Sequence, residues 1–343
     1  MNARMLKHPL FAPLAALAAG TFLLLAVLGV IALLDMPAPG TEVAGVNVAK
    51  GMTAGEIARM LERRGIVKSE RFFRVVSRVK RYDGRIRAGR YIVPAGLRTT
   101  EIARFLAETV PRPFEIRVTV TEGLTIVEIA SLLERKAKVD SAAFVSFAMS
   151  RAVAESMGVD NETLEGYLYP DTYFFADGAK ALDVIRKMTG RFREVFSDSL
   201  MARARTLGFS LNEVITLASL IETEAAGDEE RLVISSVFHR RLKAGLPLQA
   251  NPTVQYALGV KRRVYNGDLD VDSPYNTYRY RGLPPGPVAN PGMKSIIAAL
   301  YPADTRYLYF VSNGCGGHVF SRTLSEHNAA VGRYMRERTH RSR

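Results

Sequence analysis

The stretch LASLIETEAAGDEE, residues 217–230, runs apolar for one turn and a half and then changes abruptly to glutamate. It ends a segment that is rich in helix formers and contains no Gly or Pro over residues 211–226. We therefore predict a buried helix over 211–226. Glu222 and Glu224 at its end need an explanation, because ionised carboxylates are seldom buried unpaired.

The two glutamates point in different directions from this helix. At about 100° per residue, Glu224 falls in the middle of the apolar arc, whereas Glu222 lies on a flank of mostly small residues. The simplest interpretation is that Glu222 is solvated and Glu224 pairs with an arginine. Alternatively, desolvation raises the pKa of one carboxyl, which then holds a proton near neutrality as a general acid does. The arc is formed by Val214, Leu217, Leu220, Ile221 and Ala225.

Composition limits the classes of function. The chain has 343 residues, is 48% apolar and carries a formal charge of +13, which suits an anionic polymer or membrane surface. Its basic residues are spread along the chain, which argues against a nucleic-acid partner. The single cysteine, Cys315, excludes an internal disulfide, and the histidines show neither HxxH nor HExxH spacing, so we predict no metal and no cofactor. The histidines are His8, His239, His318, His327 and His340.

The N-terminus predicts a membrane anchor. Residues 9–34 contain no charged side chain, and a helix of that length spans about 39 Å, more than the roughly 30 Å hydrocarbon core. The run ends at Leu34-Asp35 without a small-residue cleavage site, so we interpret it as an uncleaved helix. Arg4 and Lys7 precede it, which predicts a cytoplasmic segment 1–8 and an extracytoplasmic remainder.

A short pattern recurs in the first half of the exported part. Gly51, Gly96 and Gly123 are each followed five residues later by Glu-Ile-Ala and then by leucine. Each glycine also follows a short extended segment. The pattern predicts three units of strand, tight turn and Thr-capped amphipathic helix. Such units could bind carbohydrate or merely space the next domain from the membrane.

The second half combines helices with a long irregular region. Residues 246–292 show little periodicity but carry many tyrosine, asparagine and glutamine side chains. These side chains suit a sugar-binding cleft, and they suit a rigid packed loop equally well. The other predicted elements are a loop entering a strand over 165–175, helices at 179–206, 211–226 and 229–244, a strand over 307–313, a strand over 319–321 and a helix through Tyr334.

Six motifs along the chain resemble those of the membrane-anchored endolytic murein transglycosylases of the MltG/YceG-like type. The resemblance extends from the anchor to about Tyr334. The motifs stand in the family's order: LEGYLYPDTY (164–173), LASLIETEA (217–225), VFHRRL (237–242), LQANPTVQYALG (248–259), SPYNTYRYRGLPPGPVANPG (273–292) and YLYFVSNGCGGHVFSRTLSEHN (307–328).

The resemblance implies an α+β fold in several parts. These are a single transmembrane helix (9–34), a linker (35–45), a LysM-like α+β subdomain (46–112), a related α+β unit (113–159), a mixed α+β catalytic domain (160–336) and a basic tail (337–343). It also implies a bacterial inner-membrane location with the catalytic domain in the periplasm. Peptidoglycan glycan strands are the implied substrate, and peptidoglycan synthases are candidate partners.

The resemblance also implies the site. It makes the first glutamate of the pair, Glu222, the catalytic acid, although the helical arc favours Glu224 as the more buried group. Thr223 and Ala225 depart mildly from the family's pattern. Glu224 then becomes a supporting residue, and the flank beside Glu222 is expected to open on the cleft. Candidates for gripping the glycan are Gln249, Asn251, Thr253, Tyr275, Asn276 and Thr277.

The reaction that the resemblance implies needs one carboxyl. The acid protonates the oxygen between MurNAc and GlcNAc, and the MurNAc C6 hydroxyl closes a 1,6-anhydro ring, which terminates a nascent strand. Two alternatives remain open. The first is a tethered peptidoglycan-binding protein without activity. The second is a lysozyme-like hydrolase, with Asp228, Glu229 or Glu230 as the second carboxylate.

Overall fold

The computed structural model describes residues 11–38 and 43–341, and the chain forms two compact units, Met1–Phe114 and Glu115–Arg343. Helices combine with small two-stranded antiparallel sheets, so the predicted α+β class is confirmed. Parts of some predicted segments lie outside the described residues. These parts are the cytoplasmic segment 1–8, the start of the anchor at 9–10, the linker residues 39–42 and the end of the basic tail at 342–343.

Helix α1, Phe11–Asp35, contains most of the predicted anchor. Its segment Ala16–Asp35 is the one helix in the described part of the chain that is long and apolar enough to cross a membrane. The end of α1 is tied to the first unit, because the Asp35 carboxylate accepts hydrogen bonds from the backbone N–H (2.9 Å) and the hydroxyl (3.1 Å) of Thr100. The apolar helix therefore ends at Asp35, whose carboxylate is hydrogen-bonded to Thr100.

The first unit contains two of the three predicted strand–turn–helix repeats. Its two strands pair in an antiparallel sheet, and the strands and helices enclose one apolar cluster. Thr53 caps the helix of the first repeat as predicted, accepting from the Glu56 N–H. In the second repeat Arg98 occupies the cap position, so the predicted Thr cap is wrong there. The elements are β1 Ala44–Val48, α2 Ala54–Arg63, α3 Glu70–Val79, β2 Gly89–Val93 and α4 Thr99–Glu108.

The third repeat lies in the second unit. Its strand, β3 (Glu115–Thr119), pairs with β4 (Thr172–Ala176), which is the strand predicted after the aromatic loop. Its helix, α5 (Ile126–Ala137), is capped by Thr125. Residues 115–159 therefore share a compact unit with the segment from 160 onward, because the β3–β4 pair joins them.

The rest of the second unit is mainly helical. The predicted helix 179–206 is two helices, since the first ends before Phe196 and the second begins after Ser197, which occupies its N-cap position. The predicted strands after residue 306 form a hairpin. The elements are α6 Ser141–Ala148, α7 Arg151–Ser156, α8 Ala181–Val195, α9 Asp198–Leu207, α10 Leu211–Glu224, α11 Asp228–Lys243, α12 Asn251–Leu258, a 3-10 helix Asn266–Asp270, α13 Met293–Leu300, β5 Tyr309–Ser312, β6 His318–Ser321 and α14 Leu324–Arg341.

Helix α10 lies at the centre of this unit and packs against α9, α11, α12 and α13. Ser210 caps it and accepts from the Glu213 N–H. All residues from Val214 to Ile221 are buried, so the helix is covered all round and not only along the predicted arc. A helix enclosed in this way holds its terminal side chains in fixed directions.

Candidate active site

The two glutamates at the end of α10 enter different surroundings. Glu224 is the last residue of the helix, and Glu222 stands two residues earlier. Two residues correspond to about 200° of helix rotation, so their side chains leave the helix on nearly opposite sides. Each side must therefore be described separately.

Glu222 is held in a buried ion pair. Its side chain is 6% exposed, and Oε1 accepts a hydrogen bond of 2.9 Å from Nη1 of Arg231, whose side chain is 12% exposed. Oε2 accepts from the backbone N–H of Gly292 at 3.0 Å. Arg231 also donates to Oγ of Ser295 at 2.6 Å. Both carboxylate oxygens of Glu222 thus accept hydrogen bonds from other groups of the protein.

The small-residue flank beside Glu222 is closed. Ala218 and Ser219 are buried, and Oγ of Ser219 accepts the backbone N–H of Val288 at 3.0 Å. Residues 288–292 therefore cover the surface that was expected to open on the cleft. Buried polar groups are usually hydrogen-bonded, and the Ser219 hydroxyl is bonded to another segment of the same chain.

A third carboxyl, that of Glu122, lies close to Gly292 and Glu222. A Cβ on Gly292 would lie 1.9 Å from Oε1 of Glu122, so any larger residue would displace the Glu122 side chain. Burial raises the pKa of Glu122, and the neighbouring charge of Glu222 raises it further. Arg231 thus stands near two acidic groups, and its positive charge opposes the rise in the pKa of Glu122.

Glu224 faces a cavity of about 860 Å³. Burial raises the pKa of its carboxyl to about 7, although the backbone N–H of Asn251 acts in the opposite direction. In the described part of the chain Glu224 forms no salt bridge. A carboxyl without a cation partner, at the wall of a cavity, remains protonated up to neutral pH because its charge would be poorly solvated.

Tyrosine and amide groups surround Glu224 in this cavity. The Tyr278 hydroxyl donates to Oδ1 of Asn251 at 2.8 Å. Burial raises the pKa of Tyr278 to about 12, and the charge of Glu224 adds to this effect. The wall is formed by Glu224, Arg241, Leu248, Gln249, Asn251, Arg263, Val264, Tyr278, Tyr309, Phe310, Val311, Ser312, His318, Leu324, His327, Asn328, Val331 and Tyr334.

Arg241 is a buried structural cation in the wall. It is 7% exposed, and it donates to the backbone oxygens of Pro247 (2.8 Å) and Leu308 (3.2 Å) and to the side-chain oxygen of Gln249. Its guanidinium lies over the Tyr309 ring, 5.4 Å from the centroid. Arg241 therefore joins the end of α11, the chain before α12 and the segment entering β5.

Two of the predicted glycan-gripping residues, Gln249 and Asn251, reach the cavity. The backbone of Gln249 is left-handed (φ 55°), and its N–H donates to the backbone oxygen of Thr277 at 3.1 Å. Asn251 is the first residue of α12, a helix inside the region predicted to be irregular. The geometry therefore places both at the wall with Glu224.

The other four predicted residues hold the loop in shape. Oγ1 of Thr277 accepts the backbone N–H of Ala250 at 3.0 Å and lies 2.9 Å from Oγ1 of Thr253. The Asn276 amide donates to the backbone oxygens of two residues at 2.8 Å each. The Tyr275 ring packs on the Tyr256 ring, with centroids 4.9 Å apart. These four are not among the residues that line the cavity.

Glu165 is a buried carboxyl that the sequence analysis did not single out. It is 1% exposed, accepts the backbone N–H of Ile126 at 3.1 Å, and accepts from the amide of Asn290 at 2.8 Å. Burial raises its pKa to about 8. Because Ile126 begins α5, Glu165 ties that helix to residues 288–292, the segment that covers Glu222.

Sequence reasoning also missed the two cavity histidines, His318 and His327. His327 stacks on Tyr309 with centroids 5.3 Å apart, and its buried Nδ1 has no hydrogen-bond partner in the described part of the chain. Both lie in the last quoted motif, YLYFVSNGCGGHVFSRTLSEHN. Metal-ligand spacing does not detect single histidines that the fold brings together.

The chain is similar to known proteins. The model of the YceG-like family matches residues 46–333. An endolytic murein transglycosylase of Bacillus subtilis (strain 168) is 36% identical over 306 residues, which is 84% of this chain and 84% of that protein. One from Streptococcus pneumoniae (D39) is 28% identical over 88% of this chain, which spans 60% of the length of that protein.

A solved structure is also similar. The crystal structure of a YceG-like protein from Listeria monocytogenes has 32% sequence identity and a TM-score of 0.58, and the match covers 84% of this chain and 99% of that one. The family model covers most of the chain, and the Bacillus relative passes one third identity over most of both lengths. This chain belongs to the YceG-like family.

Proposed function

We propose that this chain is an endolytic murein transglycosylase and that Glu224 is its catalytic acid. The activity is the one named for the relatives from Bacillus and Streptococcus. The observation that carries the residue assignment is that the Glu224 carboxyl lines the large cavity without a cation partner in the described chain. Glu222, which the family resemblance favoured, is engaged by Arg231 and Gly292. Glu222 as the acid is therefore the alternative assignment, and Gln variants of the two glutamates distinguish it from the proposed one.

The proposed reaction uses the neutral carboxyl of Glu224. Glu224 gives its proton to the oxygen that joins MurNAc to GlcNAc, and the bond from that oxygen to C1 of MurNAc breaks. The C6 hydroxyl of the same MurNAc attacks C1 and closes a 1,6-anhydro ring. The hydroxyl proton returns to the Glu224 carboxylate by the end of the cycle. Water is not consumed, and a single carboxyl with a raised pKa suffices.

A lysozyme-like hydrolase is less well supported. It would need a second carboxylate at about 5–5.5 Å or 6.5–9.5 Å from the acid. Asp228 forms ion pairs with Arg231 and Lys294, and Glu230 is bound to His318. None of Asp228, Glu229 and Glu230 lines the cavity that Glu224 faces.

Product analysis tests the proposal. The detergent-solubilised full chain is incubated with purified glycan strands, and the strand ends are analysed by mass. We expect anhydro ends, which are lighter by one water than reducing ends. Reducing ends would support the hydrolase. No new ends, together with binding to the strands, would support the tethered binding protein.

The proposed location is the bacterial inner membrane, with α1 as a single span and the second unit outside the cytoplasm. The support is the length and apolar composition of Ala16–Asp35 and the positive charges before it. Tethering would confine the cavity to the newest glycan near the membrane and raise its effective concentration there. Peptidoglycan synthases stay predicted partners.

The single cysteine gives a direct test of orientation. Cys315 is exposed in the second unit. A membrane-impermeant thiol reagent should therefore label the chain in spheroplasts without lysis, and a Cys315→Ser chain should not react. Labelling that requires lysis would place the second unit in the cytoplasm and overturn the proposed topology.

A further inference from the structure

We propose that His318, oriented by Glu230, is a second catalytic residue, which takes the proton of the attacking C6 hydroxyl and passes it on to the Glu224 carboxylate. This inference rests on the proposed function and adds a second group to it. His318 lines the same cavity as Glu224, although it stands on β6, far along the chain from α10.

The Glu230 carboxylate forms two hydrogen bonds with His318. Its Oε1 accepts the backbone N–H of His318 at 2.7 Å, and its Oε2 lies 2.8 Å from the ring Nδ1. Both side chains are nearly buried, at 14% exposed for Glu230 and 11% for His318. The carboxylate thus fixes both the backbone and the ring of the same residue.

The charge state of Glu230 sets the tautomer of His318. Burial alone would raise the pKa of Glu230, but the hydrogen bonds from His318 outweigh it and hold the pKa below its usual range. Glu230 also stands in the first turn of α11, where the helix end favours a negative charge. A carboxylate can only accept, so Nδ1 carries the hydrogen of this contact, and Nε2 is the ring nitrogen left to accept a proton.

The turn of the β5–β6 hairpin leaves space for the contact between Glu230 and His318. Oδ1 of Asn313 accepts the backbone N–H of Gly317 at 3.0 Å, which closes the turn between β5 and β6. A Cβ on Gly317 would lie only 3.0 Å from Oε1 of Glu230, so glycine leaves room for the carboxylate. The His318 ring stands edge-on to Phe310, with centroids 5.3 Å apart. Ring rotation is therefore restricted.

The arrangement leaves Nε2 as the polar atom available to a ligand. In residues 11–38 and 43–341, Nε2 of His318 makes no hydrogen bond. A carboxylate that orients an imidazole whose other nitrogen meets substrate is a known device for general-base catalysis.

Every bond and proton in the proposed step is accounted for. The O6–H bond breaks, O6 bonds to C1, and the proton moves to Nε2 of His318. At the same time the C1–oxygen bond to GlcNAc breaks, and that oxygen keeps the proton from Glu224. The site then holds an imidazolium and a carboxylate, and transfer of one proton between them through water restores both groups.

The principal test variant is His318→Asn. The asparagine amide can still donate to Glu230 from about the place of Nδ1, but it has no atom at the place of Nε2. We expect kcat for anhydro-end formation to fall by about 10²-fold with KM changed less than about threefold. A His318→Ala chain should regain part of its kcat when imidazole is added.

Glu230 is a positioning residue in this scheme, and a double variant tests it. Glu230→Gln should lower kcat by about tenfold. Glu230→Gln combined with His318→Asn should be no slower than His318→Asn alone, because Glu230 acts through the ring. His239→Gln serves as the control, since His239 bonds to the backbone oxygen of Ala299 at 2.8 Å and does not line the cavity. It should lower stability without changing kcat.

Normal turnover of folded His318→Asn would overturn the inference. So would a change in KM alone, which would make His318 a binding group, or a loss of kcat in His318→Ala that imidazole does not restore. Each result is read against wild-type protein in the same assay. If wild type itself makes no anhydro ends, the proposed function fails; if wild type makes them and His318→Asn does too, only the present inference fails.

Discussion

The two sides of the end of α10 differ although they carry the same residue type. On one side Glu222 is buried with Arg231 and the N–H of Gly292, and its charge is compensated. On the other side Glu224 faces a cavity, and burial raises its pKa to about 7. The chemistry of a carboxyl therefore depends on which neighbours the fold places beside it. An ion-paired glutamate stabilises the structure, whereas a desolvated one can deliver a proton.

The largest expected effect is on Glu224. Glu224→Gln keeps the shape of the side chain but has no proton to donate at neutral pH, so kcat should fall by about 10²–10⁴-fold. The rate of formation of anhydro ends measures this, and thermal unfolding checks that the fold is retained. Near-normal turnover in this variant, with a folded but inactive Glu222→Gln, would exchange the two roles.

Glu222→Gln should instead act on stability. It leaves the Arg231 guanidinium inadequately paired in a nearly buried position, which costs about 3–5 kcal/mol when a buried pair is broken. Denaturant unfolding should show this loss, while kcat of the folded fraction stays within a few-fold of wild type. Adding Arg231→Met removes this cation, together with its second ion pair to the exposed Asp228, and should recover part of the stability. An unchanged unfolding free energy would contradict the ion-pair assignment.

The pH dependence of cleavage should follow Glu224. Because only the protonated carboxyl is active and its pKa is about 7, the rate should fall about tenfold per pH unit above 7. Glu222→Gln should keep this decline. The raised pKa also means that the stability contributed by the neutral carboxyl is present below the unfolded value of 4.5 and is lost as the pH rises through 7. A rate that is constant to pH 9 would refute the assignment.

The smallest expected effect concerns the loop beside the cavity. Thr277→Val removes the acceptor for the buried N–H of Ala250 and should cost about 1–3 kcal/mol, a few degrees in Tm. Asn251→Ala is the matched variant on the cavity wall, and we expect it to raise KM with little change in Tm. Equal effects of both variants on Tm and KM would show that the division into loop-shaping and substrate-facing residues is wrong.

Local features of the fold were predictable because they depend on neighbours in the chain. The helix after Ser210, the Thr caps at Thr53 and Thr125 and the strand entering at residue 172 follow from caps, turns and periodicity. The prediction missed α12, whose sequence begins with Asn251-Pro252. This helix has only eight residues, too few to show a clear periodicity, and its proline is tolerated in the first turn of a helix.

The candidate site was only partly predictable. Periodicity placed Glu222 and Glu224 on opposite sides of α10, and the helical arc alone indicated that Glu224 is the more desolvated group. Periodicity could not show that Arg231, on the next helix, forms an ion pair with Glu222. Nor could it separate Gln249 and Asn251, which reach the cavity, from the four residues that hold the loop.

The apolar N-terminal helix, the α+β class, the family motifs and the pair of glutamates at the end of a buried helix could all be inferred from the sequence alone. These depend on composition, on spacing and on residues within a few positions of one another. Only the tertiary structure decided which glutamate meets the cavity, which meets Arg231, and that Glu230 on α11 holds His318 on β6. The reason is physical: pKa and hydrogen bonding depend on distances of a few ångströms, and the groups that set them here come from segments far apart in the chain.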